Sequence, residues 1–228
     1  MTRTVVYGSA LVAVVAATAM TLTAILSPRW VSYTVAAPAG GTVTDTIGLH
    51  HRCASSTGRC LPFPDEARCQ AGGSEGRAFC SMWRSAGFLM NLAAVAELAT
   101  VVGFLAVMAG GKVKRQGGWK VLGGMLGAVA AAELVAMAVV VSCCLCLFLF
   151  LFCYLTPVVL RSAADGMKAY LFDHNELFLV PGYRLDSSWY LCMLSAAVAL
   201  LAAAGLAISA FVLPPEDGYQ LLSDPSGV

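Results

Sequence analysis

The chain has 228 residues, 59% of them hydrophobic and only 12% charged, with 14 Lys and Arg against 13 Asp and Glu. Its mean hydropathy is +0.77. Soluble domains carry about 25% charge, so a water-soluble globule is excluded, and the apolar content also excludes disorder. A net charge of +1 leaves no electrostatic footprint for a nucleic-acid binder.

The few charges are unevenly placed. Stretches 4–28, 85–111, 121–160 and 187–215 contain only two of them, Glu97 and Glu133. A bilayer core about 30 Å thick is crossed by about 20 apolar helical residues. A four-span membrane domain over residues 1–228 follows, with helices at about 5–26, 85–109, 121–155 and 189–213. The outer loops run over about 27–84 and 156–188, and 214–228 forms a tail. The lipid bilayer is thus the first expected partner.

Arg3 followed by apolar Val5–Leu26 has the look of a secretory signal. Signal cores run about 7–15 residues, so this longer run is expected to stay as the first span. An even number of crossings puts both termini on one side. The connection 112–120 holds Lys112, Lys114, Arg115 and Lys120 and no acid, which makes it cytoplasmic by the positive-inside rule, together with both termini.

The first outer loop begins with Trp30 and an alternating run, Val31–Val35. A break follows at 38–41, then a second β-branched run, Thr42–Ile47. That is a hairpin pattern. The remainder, 54–78, is polar and rich in Gly, Pro and Ser, as suits a disulfide-tied loop. Cys53, Cys60, Cys69 and Cys80 are an even count in a segment expected to face an oxidising compartment. Two disulfides are the expectation, and four cysteines allow three connectivities. Pairing of sequence neighbours, Cys53 with Cys60 and Cys69 with Cys80, closes the shortest loops. Zinc is the rival, with His50 and His51 as extra ligands, but the spacings lack the Cys-x₂₋₄-Cys knuckle.

The second span begins near Arg84 and ends at Gly110-Gly111. The third, 121–155, would be about 50 Å long at 1.5 Å per residue. Either its apolar end, 143–155, projects and needs a partner, or that end is the embedded part and Glu133 sits at the boundary. The second outer loop carries a strand-like Leu177–Val180 and a Pro181-Gly182 turn. The fourth span runs from Trp189 to Leu213, where Pro214-Pro215 stops it.

Trp30, Gly48-Leu49, Cys53 and Cys60, with Arg84 at the outer start of the second span, resemble the claudin superfamily of four-span membrane proteins. Gly182, Leu185-Asp186 and Ser188-Trp189 resemble its fungal plasma-membrane branch more than the animal tight-junction proteins. The resemblance implies a four-helix bundle capped by a small antiparallel sheet, a Cys53–Cys60 disulfide joining two strands, and Trp30 packed at the base of that sheet. His50 departs from the aromatic residue usual after Gly-Leu. The superfamily serves many functions, so the fold does not fix one.

Glu97 and Glu133 are the intramembrane carboxylates. A charge in the bilayer interior costs about 2.5–3.5 kcal/mol on insertion scales, so at least one is expected to carry a proton. A hydrogen-bonded brace to Ser, Thr or a carbonyl of a neighbouring helix is favoured over a proton or cation pathway. Cys143 and Cys146 form a Cys-x-x-Cys within an apolar run that has no nearby base to make a thiolate. In the tail, Asp217, Tyr219, Leu221 and Leu222 fit an adaptor sorting motif, and Ser226–Val228 fits carboxylate-capturing domains.

The expectation is a non-enzymatic claudin-like protein without cofactor, most naturally in the plasma membrane. It would organise membrane domains, self-associate or contact other membrane proteins through its outer loops or the 143–155 segment. A four-helix thiol oxidoreductase is the alternative, and an ion-conducting or channel-modulating subunit is third.

Overall fold

The computed structural model describes residues 3–36, 41–141 and 183–213. Among these, four helices are long and apolar enough to cross a membrane: α1 (Arg3–Leu26), α3 (Gly73–Ala109), α4 (Gly111–Val141) and α5 (Ser187–Val212). A short helix, α2 (Glu66–Ala71), precedes α3. The spans are rich in Ala, Leu and Gly, so backbones approach closely and side chains pack without long polar arms. The positions 143–155, 177–180 and 181–182 lie outside the described residues, as does the tail from 214.

At one end of the bundle sits a five-stranded antiparallel sheet in the order β4-β3-β2-β1-β5. The expected hairpin is present as β1 (Val31–Ala36) and β2 (Thr42–Ile47), in register from Val31 opposite Ile47 to Ala36 opposite Thr42. The alternation works as the pleat requires: Val31, Tyr33, Asp45 and Ile47 turn inward and are buried. β3 (His51–Ala54) and β4 (Arg59–Pro62) extend the sheet, with Cys53 directly opposite Cys60. β5 (Arg184–Leu185) comes from the far end of the chain and pairs with the start of β1.

Three boundaries differ from the sequence expectation. Residues 54–78 are not one irregular loop: they hold β4, α2 and the start of α3. The helix that carries the second span begins at Gly73, ahead of the span start expected near 85, and its outer three turns are amphipathic. Gly76, Phe79, Cys80, Trp83, Ala86 and Gly87 are buried on one face, while charges cover the other. The basic connection is helical as well. α4 starts at Gly111, and Gly110 alone separates it from α3, its N–H donating to Ala106 O.

The core forms two apolar layers. The layer near the sheet includes Trp30, Ile47, Leu49, Phe79, Trp83, Met90, Val140, Trp189 and Cys192. The other includes Tyr7, Val14, Phe104, Leu122, Leu126 and Leu206.

Candidate functional site

Two places concentrate chemistry: the joint between sheet and bundle, and a polar layer between the two apolar layers.

At the joint, Trp30 is fully buried. Its indole Nε1 donates to Ala24 O at 2.7 Å, satisfying a carbonyl in the last turn of α1 that the helix leaves orphaned. Its backbone N–H donates to Ile47 O at 2.9 Å, and its own carbonyl accepts from Asp186 N at 3.0 Å. One residue thus ties α1, β2 and the entry to α5. Asp186 also caps α5 through its side chain, which accepts from Ser187 N.

Gly48 stands where the chain leaves β2, and a Cβ there would lie 2.6 Å from Pro28 Cα. Its backbone is pressed against the exit from α1, which no side chain permits. Gly48→Ala is therefore expected to cost about 1–3 kcal/mol, the range for overpacking, measured as thermal or denaturant stability in micelles. An unchanged stability would mean that the exit from α1 yields freely. Leu49 beside it is buried.

Cys53 pairs with Cys60, joining β3 to β4, and Cys69 pairs with Cys80, joining α2 to α3. The four loop cysteines are thus paired as sequence neighbours. Phe63, Phe79 and Trp83 form a ring cluster beneath them, with Phe63 edge-on to Trp83 at 5.6 Å. Arg84 differs from the other motif residues. It is half-exposed and makes an ion pair with exposed Glu66 at 3.3 Å. His50 Nε2 lies 3.5 Å from Asn91 Nδ2, and among the described residues no three metal-ligating side chains converge.

A cluster within the sheet went unnoticed in the sequence. Arg52 Nη2 donates to Asp45 Oδ2 at 2.7 Å and to Tyr33 Oη at 2.9 Å, and Tyr33 donates to the same Asp45 oxygen at 2.7 Å. Burial first, then the hydrogen bond to Asp45, raises the Tyr33 phenol. Tyr183, edge-on to it at 4.8 Å, is also raised by burial. A phenol raised in the folded state stabilises the fold fully below its unfolded value near pH 10, and that contribution disappears as pH rises through the folded value. Alkaline titration is expected to destabilise the sheet above about pH 10, with phenolate absorbance rising late, and Tyr33→Phe should blunt the effect. Phenols titrating at their ordinary value would contradict this.

The polar layer takes one side chain from each long helix: Thr21 of α1, Glu97 of α3, Glu133 of α4 and Ser195 of α5. All four are buried. Thr21 Oγ1 is the hub, 2.7 Å from Glu133 Oε1, 3.2 Å from Glu97 Oε1 and 2.7 Å from Ser195 Oγ. Ser195 Oγ is also 3.1 Å from Glu97 Oε1 and 3.2 Å from Ala17 O. Glu133 therefore lies at the level of Glu97 within the bundle, not at its end.

Proton counting limits the chemistry of this layer. Two hydroxyl protons cannot fill five close contacts, and the Ala17 carbonyl can only accept. A carboxyl held as its acid donates one proton more. The ion pairs among the described residues, Arg52–Asp45 and Arg84–Glu66, involve neither carboxyl, and two adjacent like charges at buried positions are strongly disfavoured. With both carboxyls neutral the layer has four protons, enough for four of the five contacts. The other oxygens, Glu97 Oε2 and Glu133 Oε2, are buried without a partner among the described residues.

The surroundings are apolar along the bundle. Ala94, Met90 and Cys192 lie on one side, Phe104, Leu126 and Val14 on the other, all buried. Cys192 Sγ contacts Met90 Sδ at 3.4 Å. Thr18 and Thr100 turn their hydroxyls to their own helices, onto Val14 O and Ala96 O. Thr21 and Ser195 were missed in the sequence, although a hydroxyl in an otherwise apolar span is the usual mate for an intramembrane carboxyl. Cys143 and Cys146, the sorting residues Asp217, Tyr219, Leu221 and Leu222, and the terminal Ser226–Val228 lie outside the described residues. Comparison with protein-family models found no match, and a search of curated proteins returned none either.

Proposed function

We propose that this chain is a non-enzymatic, claudin-like protein of the plasma membrane. It organises membrane domains or contacts partner proteins through its outer, disulfide-tied domain. The observation that supports this best is the way the sheet is mounted. Strands from both ends of the chain meet at Trp30 and are bonded directly to α1 and to the cap of α5, so the sheet is held as one rigid platform. Its far edge, β4, is exposed along its length and, among the described residues, is paired with β3 alone, which leaves its other side open to a neighbour. The polar layer serves the bundle as a brace, since buried apolar side chains flank it on both sides.

In this reading the sheet faces outside and the α3–α4 turn faces the cytoplasm. A cysteine introduced at exposed Lys114 is expected to react with an impermeant maleimide only after permeabilisation, whereas one at exposed Arg59 reacts in intact cells. Labelling of the Lys114 position from outside would reverse the orientation.

The function itself is tested by energy transfer between two differently tagged copies in living membranes, together with lateral mobility. Replacing Cys53 and Cys60 by serine is expected to reduce clustering and raise mobility, while Glu97→Gln leaves both unchanged. Clustering that survives loss of the disulfide at equal surface expression would remove the outer domain from the account.

A further inference from the structure

We propose that the surface around Arg84 and Phe88 is a binding site for one glycerophospholipid. Its phosphate would be held by Arg84 and Arg77 and one acyl chain laid along α3. The inference rests on the membrane-spanning reading and adds a specific lipid partner to it. Two clefts meet here, of about 590 and 280 Å³, and Arg84 and Phe88 line both. Glu66, Arg77 and Ser81 line the larger, His50 and Asn91 the smaller. Arg77, Ser81, Arg84 and Phe88 follow one another at spacings that put them on a single face of α3. The Cys69–Cys80 disulfide pins α2 beside that face, and Glu66 forms one wall of the cleft.

The charges match a zwitterionic headgroup. Arg84 is engaged by Glu66 at 3.3 Å, but both side chains are exposed, and an exposed pair is readily exchanged. A guanidinium meets a phosphodiester with two parallel N–H bonds, and release from Arg84 frees Glu66 to face a choline or ethanolamine ammonium. Below Phe88 the same face continues as exposed Leu92, Val95 and Val102. From Phe88 to Val102 this stripe spans about 21 Å at 1.5 Å per residue, more than half of a hydrocarbon core about 30 Å thick. A free phosphate would leave that stripe unused. A lipid uses the cations and the stripe together, with its headgroup where the polar and apolar parts of α3 meet.

The test is native mass spectrometry of the full chain released from nanodiscs of equimolar phosphatidylcholine, phosphatidylethanolamine and phosphatidylglycerol. One retained phospholipid per chain is expected, with the two zwitterionic lipids preferred. Combined Arg77→Gln and Arg84→Gln should lower retention about tenfold, as should combined Leu92→Ser and Val95→Ser, whereas Arg59→Gln on β4 should not. Millimolar inorganic phosphate or glycerophosphocholine should fail to displace the lipid. Unchanged retention in the arginine variant overturns the proposal, as does displacement by inorganic phosphate alone or a protein co-purifying on this face in place of lipid. Thermal unfolding is followed for each variant. If the double arginine variant does not fold, Arg84→Lys, which keeps the charge and loses the paired donors, must still show reduced retention. Loss of the lipid site with clustering intact sinks this inference alone, and loss of clustering with lipid retained sinks the organiser reading alone.

Discussion

Trp30→Ala is expected to destabilise the protein by about 3–5 kcal/mol, the range for truncating a fully buried aromatic residue. The side chain is wholly enclosed, and its Nε1 is the partner of Ala24 O. Removing it both opens a cavity and strips a helix-end carbonyl of its donor. Trp30→Phe separates the two effects. It refills most of the space but cannot donate, so a loss of about 1–2 kcal/mol is expected from the unsatisfied carbonyl. Chemical denaturation in mixed micelles, with far-UV dichroism and the rate of disulfide reduction as two signals, checks the order. If phenylalanine is as damaging as alanine, the hydrogen bond dominates and the packing account is wrong. If neither substitution is felt, Trp30 does not join sheet to bundle at all.

The second large effect is expected in the polar layer, where the series matters more than any single value. Glu97→Gln keeps the shape and offers an amide donor and acceptor, so it should be nearly silent if the carboxyl is already neutral. Glu97→Leu deletes contacts to Thr21 and Ser195 and should cost about 0.6–2 kcal/mol, as interhelical bonds do. Thr21→Val removes the hub of three contacts while keeping its volume, and about 1–3 kcal/mol is expected from the buried groups it strands. Proton flux in liposomes provides the contrary outcome. Flux driven by a pH gradient in the wild type and abolished by Glu97→Gln would make the layer a pathway and not a brace.

The spans were legible because charge is so scarce in them, and the hairpin because β-branched residues alternate on both sides of a Pro/Gly break. The start of α3 was not, and the reason is physical. Glu75, Arg77 and Arg84 fail any test for a membrane segment, yet a helix that stands in water at one end needs only one apolar face. The signal was present at Phe79, Cys80, Trp83, Ala86, Gly87 and Met90, a helical stripe that continues unbroken into the span. Asp65 followed by Glu66 likewise marks a helix start, and Asp65 does accept from Ala67 N. The basic residues at 112–120 marked orientation but not conformation, so the helix that carries them looked like a loop. In the polar layer the carboxyls were visible as exceptions to hydropathy. Their hydroxyl partners were not, because Thr and Ser barely disturb an apolar average.

The placement of Ser195 and β5 has a consequence for how the chain is made. Both belong to a segment made after the first three long helices, and both complete something begun by the first 140 residues. Until α5 arrives, Glu97 lacks one of its hydroxyl partners and β1 shows a bare edge where Val31 and Ser32 will pair with Leu185 and Arg184. A chain paused after its third long helix would thus display a half-satisfied acid in the bundle and an open strand edge on the sheet. The docking of the segment that carries β5 and α5 completes both at once.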